Sequence, residues 1–368
     1  MTIKASGPLA LATDIVGEFG GTSPHALSEY YRGGSYVLGN NPGVPTSGPL
    51  AFSKFYSTRK QFSLTISASV MQANLYNLLV AAGWNEDSYV SVTINSDVWL
   101  WSDSTTAGGL IIAGIPNGAI IHNYGKIIGR GGNGGGARNV GGAGGPALTN
   151  TSSGIELFNY SGAYIAGGGG GGAGGWQGGG GGGAGGGTGG YATDEYDLTY
   201  RVWGGAGGAI GLAGANGGMG DNLEESHANA NQYGTGGNAG GAGGGVNVDS
   251  GSDRDPVGGG GGGGRILPGV GVDARIPSGT NSDYPGGYGG GASQTGGTAG
   301  YPYHASPSTQ YVDGDGGTFF YQAGGGGGGW GAPGGESNGG AGGAAGKAID
   351  GISGITLTNT GTIYGATA

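Results

Sequence analysis

Cysteine is absent from the 368 residues, which excludes a disulfide framework, thiolate metal sites and thiol catalysis. Histidine occurs only at 25, 122, 227 and 304, and neither GxSxG nor HExxH is present, so no local motif supports a hydrolytic triad or a zinc site. Apolar runs are short: nothing reaches the 18 residues of a membrane span. The opening MTIKASGPLALATDIVGEFG lacks a continuous apolar stretch of signal-peptide length, so the chain is expected to be made in a cytoplasm without a secretion signal. Basic residues are also scarce, 13 against 23 acidic ones, for a net charge of −10. Phosphate neutralisation needs the opposite sign, so nucleic acid is discounted as a partner.

What is abundant is glycine, 103 residues of it, and ten of these precede residue 108. A composition boundary therefore falls near 105. Three parts are expected: a small β attachment segment at 1–60, an α+β unit at 61–107, and a glycine-rich region at 108–368. In the first, SGPLA at Ser6–Ala10 returns at Ser47–Ala51, and Ser23 followed by Pro24 reads as a helix start. In the second, Met71, Leu75, Leu78, Leu79 and Ala82 follow helical spacing, Gly83 is a natural stop, and Val90, Val92 and Ile94 alternate as a half-buried strand. His25, His122, Trp84, Trp99 and Trp101 fit structural roles.

Three stretches share one pattern: AIIHNYGKIIGRGG from Ala119, IELFNYSGAYIAGGG from Ile155 and ITLTNTGTIYGATA from Ile355. Asn123, Asn159 and Asn359 occupy the same place, as in a hairpin or β-solenoid rung. Between them the glycine follows a three-residue period, from Gly205 through Gly208, Gly211, Gly214 and Gly217 to Gly220, and again from Gly234 to Gly243. That is the period of a polyproline-II helix, whose peptide groups must bond to neighbours. Collagen would need far more than 14 prolines, and a flexible linker would not carry Trp176, Trp203 and Trp330. The expected fold class is thus a β-rich N-terminal region with a small α+β unit, followed by a glycine-rich bundle of polyglycine-II helices capped by short β rungs.

The glycine runs are interrupted by segments rich in tyrosine, aspartate and asparagine. Residues 191–321 hold ten of the 20 tyrosines, and 13 acidic against four basic residues. Tyrosine with Asp, Asn, Ser and Gly is the composition of a binding loop. The acidic residues also admit a glycosidase reading, with Asp194, Glu195, Asp197, Asp253, Asp255, Asp313 and Asp315 as candidates. Spacing alone pairs none of them at catalytic separation, and solvated or partner-facing charge is the simpler account. The clusters DSGSDRD and DGDGG lack a calcium-solenoid repeat, so no metal and no cofactor are expected.

The order of these features resembles bacteriophage tail-fibre tip adhesins, above all the glycine-rich adhesins of T-even-type long tail fibres. The resemblance rests on SGPLALATDIVGEFGG…HALSEYYRGGSYV, on the segment from Thr65 through AAGW to NYGKIIGRGG, and on glycine-rich motifs alternating with variable loops. It implies a bundle of antiparallel polyglycine-II helices, and a non-enzymatic virion protein that recognises a host outer-membrane protein or lipopolysaccharide, docked on other tail proteins through its N-terminal region. The receptor-binding residues it implies are Tyr191, Tyr196, Tyr200, Trp203, Tyr233 and Tyr284, with Tyr301, Tyr303, Tyr311, Phe319, Phe320 and Tyr321. Rival readings are a structural baseplate or connector protein, an ice-binding protein and a polysaccharide depolymerase.

Overall fold

The fold is that of a computed structural model, which describes residues 3–37, 41, 43–86, 88–136, 139–175, 180–189, 191–193, 201–203, 311–312, 318–319, 324–337 and 340–368. Residues up to 58 gather around their own apolar cluster, with Ile15, Tyr30, Val37, Val44 and Phe55 fully buried. They form short helical turns at Leu11–Ile15, Val16–Phe19 (α1), Leu27–Tyr30 and Phe52–Phe55 in place of extended strands. The helix expected to start at Ser23 and Pro24 begins three residues later. Its first free amide, on Ala26, donates to the Glu29 carboxylate at 3.2 Å.

From Gln61 the chain winds into five coils, the first four laying one strand in each of three parallel sheets and the fifth one strand in each of the first two. The first coil comprises β1 (Gln61–Ile66), β2 (Val70–Met71) and β3 (Ala73–Asn74), followed by helix α2 (Leu75–Ala81). Asn74 caps that helix by accepting from the Asn77 amide at 3.1 Å, and Gly83 ends it at φ 94°. Met71, assigned from its spacing to the helix, stands in a strand instead. The second coil is β4 (Tyr89–Ile94), β5 (Trp99–Trp101) and β6 (Leu110–Ile112), and the third β7 (Ala119–Asn123), β8 (Lys126–Ile128) and β9 (Leu148–Asn150). The fourth opens with β10 (Ile155–Asn159) and β11 (Tyr164–Ala166). The fifth holds β17 (Ile355–Asn359) and β18 (Thr362–Tyr364).

Between β11 and the strand that closes the fourth coil in the third sheet, β16 (Ile349–Asp350), lie two short hairpins. One pairs β12 (Tyr191–Thr193) with β13 (Arg201–Trp203), the other β14 (Tyr311–Val312) with β15 (Thr318–Phe319).

The register explains the side-chain pattern. Leu64, Val92, Ile121, Leu157 and Leu357 stand in one column of the first sheet, because each coil pairs with the next without slip. Leu100, Ile127, Ile165 and Ile363 do the same in the second sheet, and Leu110, Leu148 and Ile349 in the third. These columns meet in one continuous core. Period-two burial in β7 and β10 sends alternate residues into it, each fully buried Ile or Leu contributing roughly 1.5–3 kcal/mol. Asn123, Asn159 and Asn359 fall in register, and their amides form a ladder with two donor–acceptor steps of 2.8 Å each.

The expected fold class is corrected by this architecture. The three Asn-containing stretches are parallel strands of successive coils, so they are neither hairpins nor caps but part of the body of the protein. The strands that fall within the expected α+β unit at 61–107, β1 to β5, belong to the same three sheets as the later coils. No bundle of antiparallel polyglycine-II helices stands among the described residues. The three-residue glycine period that suggested one, at 204–220 and 234–243, lies outside them. The glycine segments that are described are extended legs inserted between the second and third sheets of the third and fourth coils. They run both parallel and antiparallel to one another, because they take their directions from the strands they continue.

Candidate functional site at the far end of the glycine legs

The legs are held chiefly by backbone bonds. Leaving β8, Gly129, Gly132 and Gly135 donate to Ala166, Gly169 and Gly172 at 2.8–2.9 Å, which extends the parallel β8–β11 pairing outward. The third coil then returns: Gly142 donates to Asn133 and Gly145 to Arg130, both at 2.7 Å, on the way to β9. Glycine is required here by space. A Cβ on Gly168 would sit 1.8 Å from the Arg130 carbonyl oxygen, and one on Gly171 would sit 1.9 Å from that of Asn133. No side chain fits between peptide groups this close.

The fourth coil makes a longer path. It goes out to Gly174, returns with Gly172 donating from its outward leg to Gly181 and Gly169 to Ala184, then turns at 184–187 beside the sheets. It goes out again, with Gly131 and Gly134 donating to Gly185 and Thr188. Tyr191 therefore begins its hairpin at the end remote from the sheets. The chain comes back at that same end: Gly325 donates to Ala173, Gly328 to Gly170 and Gly331 to Gly167, an inward run. Gly136 is seven residue steps beyond Gly129, so the far end stands at most ~25 Å from the second sheet. The turn at 337–340 lies there too, with the Ser337 hydroxyl donating to Gly174 at 2.6 Å. Val140, 64% exposed, is the most exposed large apolar residue among those described.

The inner ends of the legs are anchored by aromatics. Trp330 is fully buried where the inward run turns, its ring 5.5 Å from Tyr164 and 5.6 Å from Tyr364. Ile128, Ala166 and Ala184 pack with it, and Trp99 and Trp101 close the cluster, so these tryptophans are packing residues. Among the described residues the Trp330 indole N–H finds no hydrogen-bond partner.

Of the residues named from sequence for receptor binding, four lie within described strands. The hairpin register sets Tyr191 opposite Trp203 and Tyr311 opposite Phe319. Tyr196, Tyr200, Tyr233, Tyr284, Tyr301, Tyr303, Phe320 and Tyr321 lie outside the described residues, as do all seven acidic candidates for glycoside chemistry. Among the described residues no cluster of metal-ligating side chains occurs, and no helix is long and apolar enough to cross a membrane.

Sequence reasoning missed an aromatic patch on the outer face of the first sheet. Tyr124 and Tyr160 stack at 4.3 Å with rings 3° from parallel, beside His122 and Phe158 at 5.4 Å. The His122 Nδ1 lies 2.9 Å from the Tyr160 hydroxyl. Burial lowers the His122 pKa, against an opposing pull from the Glu156 carboxylate. The signal was available, since HNY and FNY stand at matching places in two strands. Nearby, Tyr89 donates to Glu156 at 3.0 Å while the Arg59 guanidinium lies 3.2 Å from the centre of its ring. Burial first, with that carboxylate bond, pushes the Tyr89 pKa up to about 12 even though Arg59 lowers it. The cluster ties the N-terminal region to the second and fourth coils.

A coiled β stack carrying stiff backbone legs, with one long chain excursion leaving and rejoining at their far end, defines a display scaffold. The chain belongs to the phage tail fibre adhesin Gp38 family, whose model matches residues 61–256. The crystal structure of the gp37-gp38 adhesin tip complex of the bacteriophage S16 long tail fiber aligns with 99% of this chain and 100% of that chain, at 19% identity and a TM-score of 0.46. No curated protein matches the chain.

Proposed function

We propose that the protein is the receptor-binding adhesin of a phage tail fibre, and that residues 190–323 recognise a protein or lipopolysaccharide on the host surface. The observation that carries this reading is topological. Both ends of that excursion join the scaffold at the far end of the glycine legs, so the stretch richest in tyrosine and acid is offered at one place. Loops on a rigid support are where binding residues concentrate. Tyr191, Trp203, Tyr311 and Phe319 start the aromatic set, and the tyrosines between them extend it. A few central aromatics are expected to dominate the affinity. In this reading residues 1–60 attach the protein to the virion, 108–368 carry recognition, and the protein makes or breaks no covalent bond.

The test is adsorption of the full chain to susceptible cells, beside a variant in which 191–203 and 299–322 are replaced by short glycine turns. Adsorption lost while the thermal transition is kept supports the reading. Unchanged adsorption, or none by the intact protein on any susceptible strain, overturns it in favour of a structural virion component. A glycan-release assay on host envelope run alongside reads out any depolymerase activity.

A further inference from the structure

The outer face of the first sheet changes character from coil to coil. The third coil carries His122 and Tyr124 there, and the fourth Phe158 and Tyr160. The fifth carries threonine at each matching place: Thr356 beside Glu156, Thr358 beside Phe158 and Thr360 beside Tyr160. The last pair stays in register because Tyr124, Tyr160 and Thr360 each donate an amide bond to the preceding coil, to Ile94, Asn123 and Asn159, at 2.8–3.0 Å.

The rings therefore form a ridge with one free side. Tyr160 stacks on Tyr124 at 4.3 Å and Phe158 on His122 at 5.4 Å, which covers the face of each that looks toward the third coil. The opposite faces look over the fifth coil, where a threonine is too short to cover a ring. Phe158 and Tyr160 stand two residues apart on one strand, with centroids 6.2 Å apart and planes 17° from parallel, so their free faces make one nearly flat wall. Thr358 and Thr360 are exposed at its foot, and among the described residues no strand pairs with the outer edge of β17. The result is a trough with an aromatic wall, hydroxyls along its floor and an open side.

We infer that this trough is a carbohydrate-binding site, separate from the aromatic excursion, and that it takes a neutral sugar of the lipopolysaccharide glycan on the host surface. A pyranose has a face of C–H groups and a rim of hydroxyls. The face fits the ring wall, and the rim meets threonine hydroxyls, each able to donate one hydrogen bond and accept two. A largely apolar concavity with a few placed polar groups is the usual form of a small-ligand site. The carboxylate on this face, Glu156, is already engaged by Tyr89 at 3.0 Å and by Arg59 at 3.7 Å, which suits an uncharged ligand. The His122 Nδ1, 2.9 Å from the Tyr160 hydroxyl, holds the wall in place before a ligand arrives, so little ordering is left for binding to offset. The inference rests on the reading of the protein as a host-surface adhesin only for the source of the glycan.

The probe is the oligosaccharide freed from the lipid of a susceptible strain's lipopolysaccharide. It is titrated into the full chain by calorimetry, with saturation-transfer NMR to show which sugar protons meet the protein. Binding is expected, with transfer strongest at the C–H protons of one ring. The variant in which 191–203 and 299–322 are replaced by short glycine turns should bind as the full chain does, since the two sites share no residue. Phe158→Ala and Tyr160→Ala should each weaken binding at least ~10-fold. Thr358→Val keeps shape and strand preference while removing the hydroxyl, so it should weaken binding roughly 3- to 10-fold at an unchanged melting temperature. Binding lost only in the loop-replaced chain moves the sugar to the excursion, which overturns the trough and sustains the loop reading. Failure of the oligosaccharide to bind the full chain, or binding that none of these substitutions weakens, overturns the trough whatever the adsorption assay shows. If Thr358→Val reduces adsorption to cells while the oligosaccharide does not bind, a host protein occupies this face and the inference fails.

Discussion

The coiled stack and the glycine legs solve the same problem, satisfying a backbone away from water, by opposite use of side chains. In the stack, peptide groups pair along the sheets while Leu, Ile and Val columns fill the interior between them. In the legs, peptide groups bond in several directions and nothing is left to fill, so the side chain is the obstacle. The same chain therefore contains one region damaged chiefly by making residues smaller and another damaged chiefly by making them larger.

The junction should be the most sensitive place, because Trp330 belongs to both regions. Trp330→Ala should lower stability by roughly 3–5 kcal/mol, read from chemical denaturation, and loosen the legs before the stack in hydrogen exchange. Within the stack, Leu157→Ala should cost roughly 2–5 kcal/mol. In the legs the direction reverses: Gly171→Ala should cost roughly 1–3 kcal/mol, whereas Gly17→Ala in the N-terminal helix, where an added Cβ meets nothing within 4 Å, should be neutral or stabilising by up to ~1 kcal/mol. A leg that accepts alanine at 171 without loss would break the comparison.

The Asn ladder is the polar exception inside the stack. Asn159→Ala should cost roughly 1–3 kcal/mol, because it leaves the Asn123 amide group without its acceptor in a buried site. The smallest effect expected is that of His122. Its folded pKa lies below the ordinary histidine value, so the unfolded chain binds the proton more readily. Its contribution is fully present above pH ~6.5 and is lost as the pH falls through the folded value. Stability of the wild type should thus drop on acidification across that window, and His122→Phe should flatten this part of the profile.

Parts of this were legible in the residues. The Asn-containing repeats predicted their own alignment, because one repeated pattern of apolar and turn residues can pair in register with its copies. The helix after Ala73 was readable from its spacing, although Val70 and Met71 extended the pattern into a strand that pairs with the next coil. In the N-terminal region the SGPLA echo was plain. The bundle was inferred from a glycine period, which reports where side chains are missing but carries no direction; its antiparallel sense came from the family resemblance.

For this protein the sequence alone determined the composition boundary, the acidic and aromatic excursion, and the coil repeat, since each depends on which side chains occur and how often. The tertiary structure alone decided that the repeats are coils of three parallel sheets, that the legs spring from one corner of them, and that residues 189 and 324 are offered at the same end. Glycine peptide groups are chemically alike, so the partners they choose follow from the strands that aim them rather than from the residues themselves.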